Sequence, residues 1–210
     1  QQTKAAQVMR NNQKSSGSKR QKSPQKSSAN GVIRIIGGKH RGRKLAVIDA
    51  QGLRPTTDRV KETVFNWLMP YVHGSRCLDC FAGSGGLGFE AWSRGAECVL
   101  LLEKNQSAFN QLQSNKQQLC ADTVSVIHCD TNEHLARPPQ QPFDIVFIDP
   151  PFFKGLLEHT LQQLSAGWLA EDGLIYVETE KDAQLSVIPS NWTLIKEKIA
   201  GQVRYALYQT

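Results

Sequence analysis

The sequence predicts an α/β protein built on one mainly parallel sheet with helices on both faces, and three observations predict it. Between Cys77 and Gly88 an apolar run ending in Asp79 passes straight into glycines at 83, 85, 86 and 88, after which Phe89, Ala91 and Trp92 fit a helix. From there to the end, strand-like and helix-like segments alternate at regular spacing, the pattern of parallel strands joined by crossover helices. Finally, 210 residues, 40% of them hydrophobic, suffice to bury one full α/β core with a small appendage.

Taken in order, residues 1–30 are rich in Gln, Ser, Lys and Asn and read as a disordered basic tail. Val32, Ile33, Ile35 and Ile36 then form a short strand, Gly37 to Gly42 a turn, and Leu45, Val47 and Ile48 a return strand. Together they make a β-hairpin extension, residues 31–52, with a basic tip. The main domain, residues 53–210, opens with a helix that Thr57 or Asp58 caps and Pro70 closes. Its stripe of Val60, Val64, Trp67 and Leu68 is expected against the sheet edge, leaving Arg59 and Lys61 on the exposed face.

The first strand, the glycine turn and its helix come next. Cys98 to Glu103 is a second strand, and Asn105 caps a helix with Phe109, Leu112 and Leu119 on its apolar positions. Val124 to Cys129 is a third strand ending at Asp130, and Phe143 to Ile148 a fourth ending in Asp149-Pro150-Pro151-Phe152. Leu157, Leu161 and Leu164 mark a helix, and Leu174 to Val177 a fifth strand. The last two strands, Thr193 to Ala200 and Val203 to Tyr208, are joined at Gly201 too closely for a crossover helix, so the last strand runs antiparallel.

Charge is unevenly placed. Residues 1–30 hold seven Lys or Arg and no acid, and Arg34, Lys39, Arg41, Arg43 and Lys44 follow, again without an acid. Residues 45–210 carry the other 13 bases against all 19 acids, a net of −6. Basicity gathered at one end points to a polyanion such as nucleic acid, since Lys and Arg displace counterions condensed on phosphates. The five cysteines, at 77, 80, 98, 120 and 129, are an odd number, four of them in or beside strand-like runs, and read as reduced core thiols. Cys77 and Cys80 have no second pair to complete a zinc site, so no metal is expected. No apolar run approaches the roughly 20 residues of a membrane span, and a soluble, cytoplasmic monomer is the expectation.

The glycine turn is built for a small ligand carrying negative charge, because glycine lets a ligand approach the backbone and the following helix N-terminus offers unpaired N–H groups. The spacing satisfies Gly-x-Gly-x-x-Gly, with Glu103 about 20 residues on, and by itself suits a dinucleotide or S-adenosylmethionine (SAM). The strand ends favour SAM. Asp79, Glu103, Asp130 and Asp149 each stand where a parallel strand finishes, on the edge that carries the turn. The turn takes the cofactor carboxylate, Glu103 the ribose hydroxyls, Asp130 the adenine amino group, and Asp79 balances the cationic part. A nicotinamide enzyme would need a proton-transfer group, for which only His128 and His134 present themselves.

Asp149-Pro150-Pro151-Phe152 is the most specific signal in the chain. An exocyclic amino group on a base is a poor nucleophile because its lone pair is delocalised into the ring. A carboxylate (Asp149) and a backbone carbonyl (Pro150) that accept its two N–H bonds push the nitrogen toward sp³ and aim the lone pair at the methyl group. The prolines hold that carbonyl in place, and Phe152 offers a face for the base, worth roughly 1–3 kcal/mol. The same geometry serves adenine or cytosine in DNA and a glutamine in a protein, and a cofactor fold retained only for binding nucleic acid would have no need of Asp149.

Ile35-Ile36-Gly37-Gly38 with Arg41-Gly42-Arg43, then Arg54-Pro55-Thr56-Thr57-Asp58-Arg59-Val60-Lys61-Glu62, Asp79-Cys80-Phe81-Ala82-Gly83-Ser84-Gly85 and Asp149-Pro150-Pro151-Phe152 together resemble the RsmD family of bacterial small-subunit ribosomal RNA guanine-N2 methyltransferases. The likeness runs from about residue 31 to the C-terminus; Cys80 stands where Leu is more usual, and the basic tail is longer than the family usually carries. It implies a seven-stranded, Rossmann-like class I SAM-dependent methyltransferase fold and one guanine of 16S rRNA as target, position 966 in conventional rRNA numbering, within the small ribosomal subunit. The expected catalytic residues are Asp149, Pro150 and Phe152. The expected cofactor residues are Asp79, Phe81, Ala82, Gly83, Ser84, Gly85 and Gly88, with Glu103, Lys104, Asp130 and Asp149. Arg34, Lys39, His40, Arg41, Arg43, Lys44 and Arg59 are the expected RNA contacts.

Overall fold

A computed structural model describes residues 31–48, 56–151, 155–184 and 186–210. The basic tail, Arg54-Pro55 and Phe152 lie outside the described residues. In chain order the elements are β1 (Gly31–Arg34), β2 (Lys44–Val47), α1 (Asp58–Leu68), β3 (Arg76–Asp79), α2 (Gly86–Ser93), β4 (Cys98–Glu103), α3 (Gln106–Leu119), β5 (Val124–His128), α4 (Thr131–Leu135), β6 (Phe143–Ile148), α5 (Leu156–Leu164), β7 (Leu169–Glu180), β8 (Thr193–Ala200) and β9 (Val203–Gln209). β1 and β2 form a separate two-stranded antiparallel sheet. The other seven strands form one sheet in the order β5-β4-β3-β6-β7-β9-β8. β3, β4, β5, β6 and β7 pair in parallel, and β9 is antiparallel to both its neighbours. This is the seven-stranded class I methyltransferase architecture.

The order reverses beside β3, because β4 and β5 lie on one side of it and β6 and β7 on the other. Such a switch point opens a crevice at the strand C-termini, and it brings the ends of β3, β4, β5, β6 and β7 to one edge. Buried side chains form two clusters, one on each face: Phe65, Phe89, Leu101, Phe147 and Tyr176 belong to one, Leu78, Val146, Ile148, Leu161 and Trp168 to the other.

Local chemistry explains most of the boundaries. Thr57 accepts from the Val60 N–H at 3.3 Å and Asn105 from the Ala108 N–H at 2.9 Å, so α1 and α3 begin where hydroxyl and amide side chains replace missing backbone partners. α4 goes beyond the expected elements. With five residues it is too short to show helical periodicity, and its N-cap is Asp130, which accepts from the Asn132 and Glu133 N–H groups. β7 also extends well beyond Leu174 to Val177; its flanks, Glu171 and Asp172 before and Glu178 to Glu180 after, are polar and hide the strand from an apolar-run reading.

Two expectations for α1 are corrected. The helix lies across the sheet face rather than at its edge, with Phe65 5.9 Å from the Phe147 ring and Trp67 stacked on Tyr205 at 5.6 Å. Lys61 is buried, 1% exposed, not on a solvated face. Its Nζ donates to the Arg34 carbonyl at 2.6 Å and faces Glu90 Oε2 at 3.6 Å. The cysteines divide as well: Cys77 and Cys80 are buried, Cys98 and Cys129 half-buried, and Cys120 is exposed at the left-handed C-cap of α3.

Candidate active site

β3 delivers Asp79 to the edge and the chain then turns between its neighbours. The Cys80 N–H donates to the Phe147 carbonyl at 3.0 Å and the Ala82 N–H to that of Leu102 at 2.9 Å, which stitches the turn to β6 and β4. Gly85, the N-cap of α2, adopts φ +80°, and a Cβ there would meet the Phe89 ring and Leu112 at 2.7 Å. Whereas α1, α3 and α4 are capped by side chains, Gly85 supplies none to α2. Ser84 Oγ accepts from the Gly86 N–H at a long 3.4 Å. A helix start without a strong side-chain cap favours an anionic ligand group. Phe81 and Ser84 are half-buried beside it. Gly88 serves a different purpose from that expected: it is inside α2, where a Cβ would collide with Leu101, so it lets the helix lie close on β4.

Glu103 ends β4 as expected and is 7% exposed. Its Oε2 accepts from the Gly83 N–H at 2.7 Å and its Oε1 from the Asn105 N–H at 2.8 Å. Each oxygen retains a lone pair, so the carboxylate braces the turn and still has capacity toward hydroxyls. At the end of β5, Asp130 caps α4 and accepts from Lys104 Nζ at 3.0 Å, an exposed pair whose hydrogen bond holds the carboxyl below the usual carboxylate range. Asp79 is buried, and burial pushes its carboxyl up to about 7, with the Phe81 N–H opposing and Glu103 and Glu178 adding to the rise. His128 bonds the Lys104 carbonyl at 2.9 Å and stacks on Phe109, while His134 lies against Trp168.

Asp149 and Pro150 follow β6 directly, Pro150 buried and Asp149 partly exposed. The register pairs Ile148 with Val177, so the next residue on β7, Glu178, stands beside Asp149. Burial, followed by the charge and hydrogen bond of Glu178, holds the Asp149 carboxyl well above the usual carboxylate range, and burial raises that of Glu178. Sequence reasoning passed over Glu178. Its only signal is an acid directly after the apolar run of β7, and its partner follows a different strand about 30 residues away.

The basic residues form a second set. Arg34, Lys39, Arg41, Arg43, Lys44 and Arg59 are exposed, and His40 is half-buried, stacked on Trp92 with ring centroids 4.0 Å apart. Arg34 pairs with Asp58 at 3.1 Å, and Arg43 reaches the Gln118 carbonyl at 3.4 Å. The hairpin lies along α2. Ile33 is close to Gly86 at the helix start, while the Lys39 and His40 N–H groups donate to the Ser93 carbonyl and hydroxyl at its end. Gly38, at φ +77°, comes so close to the Ser93 carbonyl that no Cβ fits between them. The basic tip is therefore set apart from the glycine turn by the length of α2, about 12 Å for eight residues. A substrate touching both must be large.

The chain has relatives among known proteins. A family model described as Conserved hypothetical protein 95 matches residues 33–209. The chain is 54% identical over 186 residues to Ribosomal RNA small subunit methyltransferase D of Haemophilus influenzae, covering 87% of this chain and 96% of the relative. It is 52% identical over 183 residues to the Escherichia coli K12 protein of the same name, covering 87% and 92%. The solved structure of an E. coli protein, yhhF, provisionally assigned as a methyltransferase, superposes with a TM-score of 0.80 at 50% identity, over 85% of this chain and 98% of that one.

Proposed function

The chain belongs to the RsmD family, and from that premise we propose that it transfers the methyl group of SAM to the exocyclic N2 of one guanine, conventional position 966, of 16S rRNA in the small ribosomal subunit. That it is an rRNA methyltransferase using SAM follows from the family; the target atom and position are the proposal. The observation that carries it is the placing of Asp149 and Pro150 at the end of β6, next to the turn between β3 and α2.

The residues present fit SAM. α2 offers its first N–H groups to the cofactor carboxylate, Glu103 has oxygen capacity for the ribose, Asp130 with Lys104 borders the adenine position, and buried Asp79 favours a neighbouring cation. When bound, SAM supplies an electrophilic methyl carbon and accepts the C–S electron pair. Asp149 and the Pro150 carbonyl accept the two N–H bonds of the guanine amino group and direct its lone pair, with Phe152 as the stacking face. Positioning of this kind contributes most of the rate enhancement. A guanine in folded RNA must first leave its stack, and the basic hairpin, with Arg59, holds the surrounding phosphates.

Two expected results follow from this reading. A cation beside Asp79 binds best when that carboxyl is ionised, so SAM affinity should fall as pH drops through about 7, by up to about tenfold per unit for one linked proton. Calorimetry from pH 6 to 8 measures this, and Asp79→Asn should abolish the dependence; a flat wild-type profile counts against the role. Replacing Arg41 and Arg43 together with Ala should reduce the salt slope of RNA binding by roughly 1 to 2. An unchanged slope would show that the tip does not hold phosphates.

The experiment for the function itself is methyl transfer from labelled SAM to three substrates: small subunits lacking the modification, naked 16S rRNA and duplex DNA, with the modified nucleoside identified by mass spectrometry. N2-methylguanine at position 966 from subunits is the expected product. Methyladenine or methylcytosine in DNA would overturn the target, and transfer to naked rRNA as efficient as to subunits would overturn the subunit as substrate.

A further inference from the structure

Glu178 is drawn into the site by the sheet rather than by any motif. It is 7% exposed, and its Oε2 has no hydrogen-bond partner among the described residues. Tyr176, two residues earlier on the same face of β7, is fully buried with its hydroxyl equally unpartnered among them. Polar atoms buried in this way are costly unless something arrives to use them.

The groups around Glu178 explain what arrives. Asp149 adjoins it from β6 and Asp79 acts on both from β3, with Glu103 behind Asp79; Tyr176 is on its own strand and Tyr205 of β9 lies directly opposite. On the covering helices, the Lys61 and Arg94 cations are committed to Glu90. Two carboxyls side by side, with no cation between them among the described residues, share one proton more readily than they hold two charges.

We propose that Glu178 is a positioning residue and proton relay for Asp149, orienting its carboxylate by a shared proton and receiving through it the proton that the acceptor nitrogen releases on methylation. This rests on the amino-methylation reading above. The nitrogen lone pair forms the N–C bond while the C–S pair departs on sulfur, leaving nitrogen with one proton in excess. That N–H bond then breaks, its pair remaining on nitrogen, and the proton passes to Asp149. The pair, which began with one proton and one negative charge, now holds two protons and is neutral. Loss of one proton to solvent after product release restores it.

Glu178→Gln keeps a neutral hydrogen-bonding group beside Asp149 but can take no proton, so kcat should fall about 10²-fold with KM for SAM within a few-fold. The acid limb of the residual activity should move to higher pH, because in the wild type the shared proton keeps the pair's single charge ionised, whereas Asp149 without a partner carboxyl is protonated more readily. Glu178→Asp should restore part of kcat and the original acid limb. An independent readout is the carboxyl ¹³C resonances of the cofactor-free protein. Asp149 and Glu178 should titrate together, with one proton retained at neutral pH, and in Glu178→Gln Asp149 should titrate in a single step, at lower pH than that at which the pair gives up its retained proton. Separate titrations in the ordinary carboxylate range, or an acid limb and kcat unmoved by Glu178→Gln, overturn the relay. The carboxyl titration needs neither cofactor nor RNA, so a wild-type product other than N2-methylguanine would refute the target while leaving the pair to be judged on its own.

Discussion

Replacing Asp149 with Ala should lower methyl transfer by about 10³-fold or more while SAM affinity stays within a few-fold. The acceptor amino group would lose the partner that directs its lone pair, in a site where a single preorganised hydrogen-bonding group is commonly worth about 10²–10³ in kcat. The cofactor would keep its principal contacts, since the bonds that hold Glu103 and the turn to β4 and β6 do not involve the Asp149 side chain. Single-turnover transfer to small subunits, with SAM affinity measured by calorimetry, checks both halves. Turnover within tenfold of wild type would remove Asp149 from the chemistry, and a collapse of SAM affinity would make it a cofactor ligand instead.

The largest effect on stability is expected at Glu90. This side chain is fully buried on α2, yet it serves three elements. Its Oε1 accepts from the Gly37 N–H at 2.8 Å and Arg94 Nε at 2.9 Å, and its Oε2 accepts from the Ile36 N–H at 3.0 Å while facing Lys61. Glu90→Ala leaves a buried ammonium without its counter-ion and two amides without an acceptor, a change that commonly costs about 3–5 kcal/mol. Burial already lowers the Lys61 pKa, with Glu90 opposing that shift. The variant should therefore unfold at markedly lower urea concentration, and RNA binding should weaken because the hairpin is held at its tip by this carboxylate. Glu90→Gln, which retains one acceptor oxygen, should lose less. A loss below about 1 kcal/mol for Glu90→Ala would mean that the hairpin docks by other contacts.

These two residues show how differently function and stability are written in the chain. Asp149 belongs to a four-residue signature whose chemistry can be argued from the residue types alone. Glu90 looks like an ordinary helical acid, and Lys61 like a residue of a solvated face, because each acquires its meaning from a partner on another element. The same holds for Glu178: the apolar run that identifies β7 as a strand says nothing of which acid at the end of β6 will lie beside it. Gly88 fits the glycine spacing of the turn, but its missing Cβ faces Leu101, a contact that exists only after α2 has settled on β4.

What the sequence determined by itself was everything carried by local rules. β4, β6 and β8 begin and end where the sequence predicts them, Thr57 and Asn105 cap their helices, and the strand-end acids fall on one edge because parallel strands all finish there. Tertiary structure alone decided the rest: where α1 lies, how the hairpin is held along α2, and which carboxyls share a buried space. The reason is physical. Backbone conformation responds to near neighbours in the chain, whereas desolvation, charge pairing and close packing depend on atoms that folding brings together from far apart.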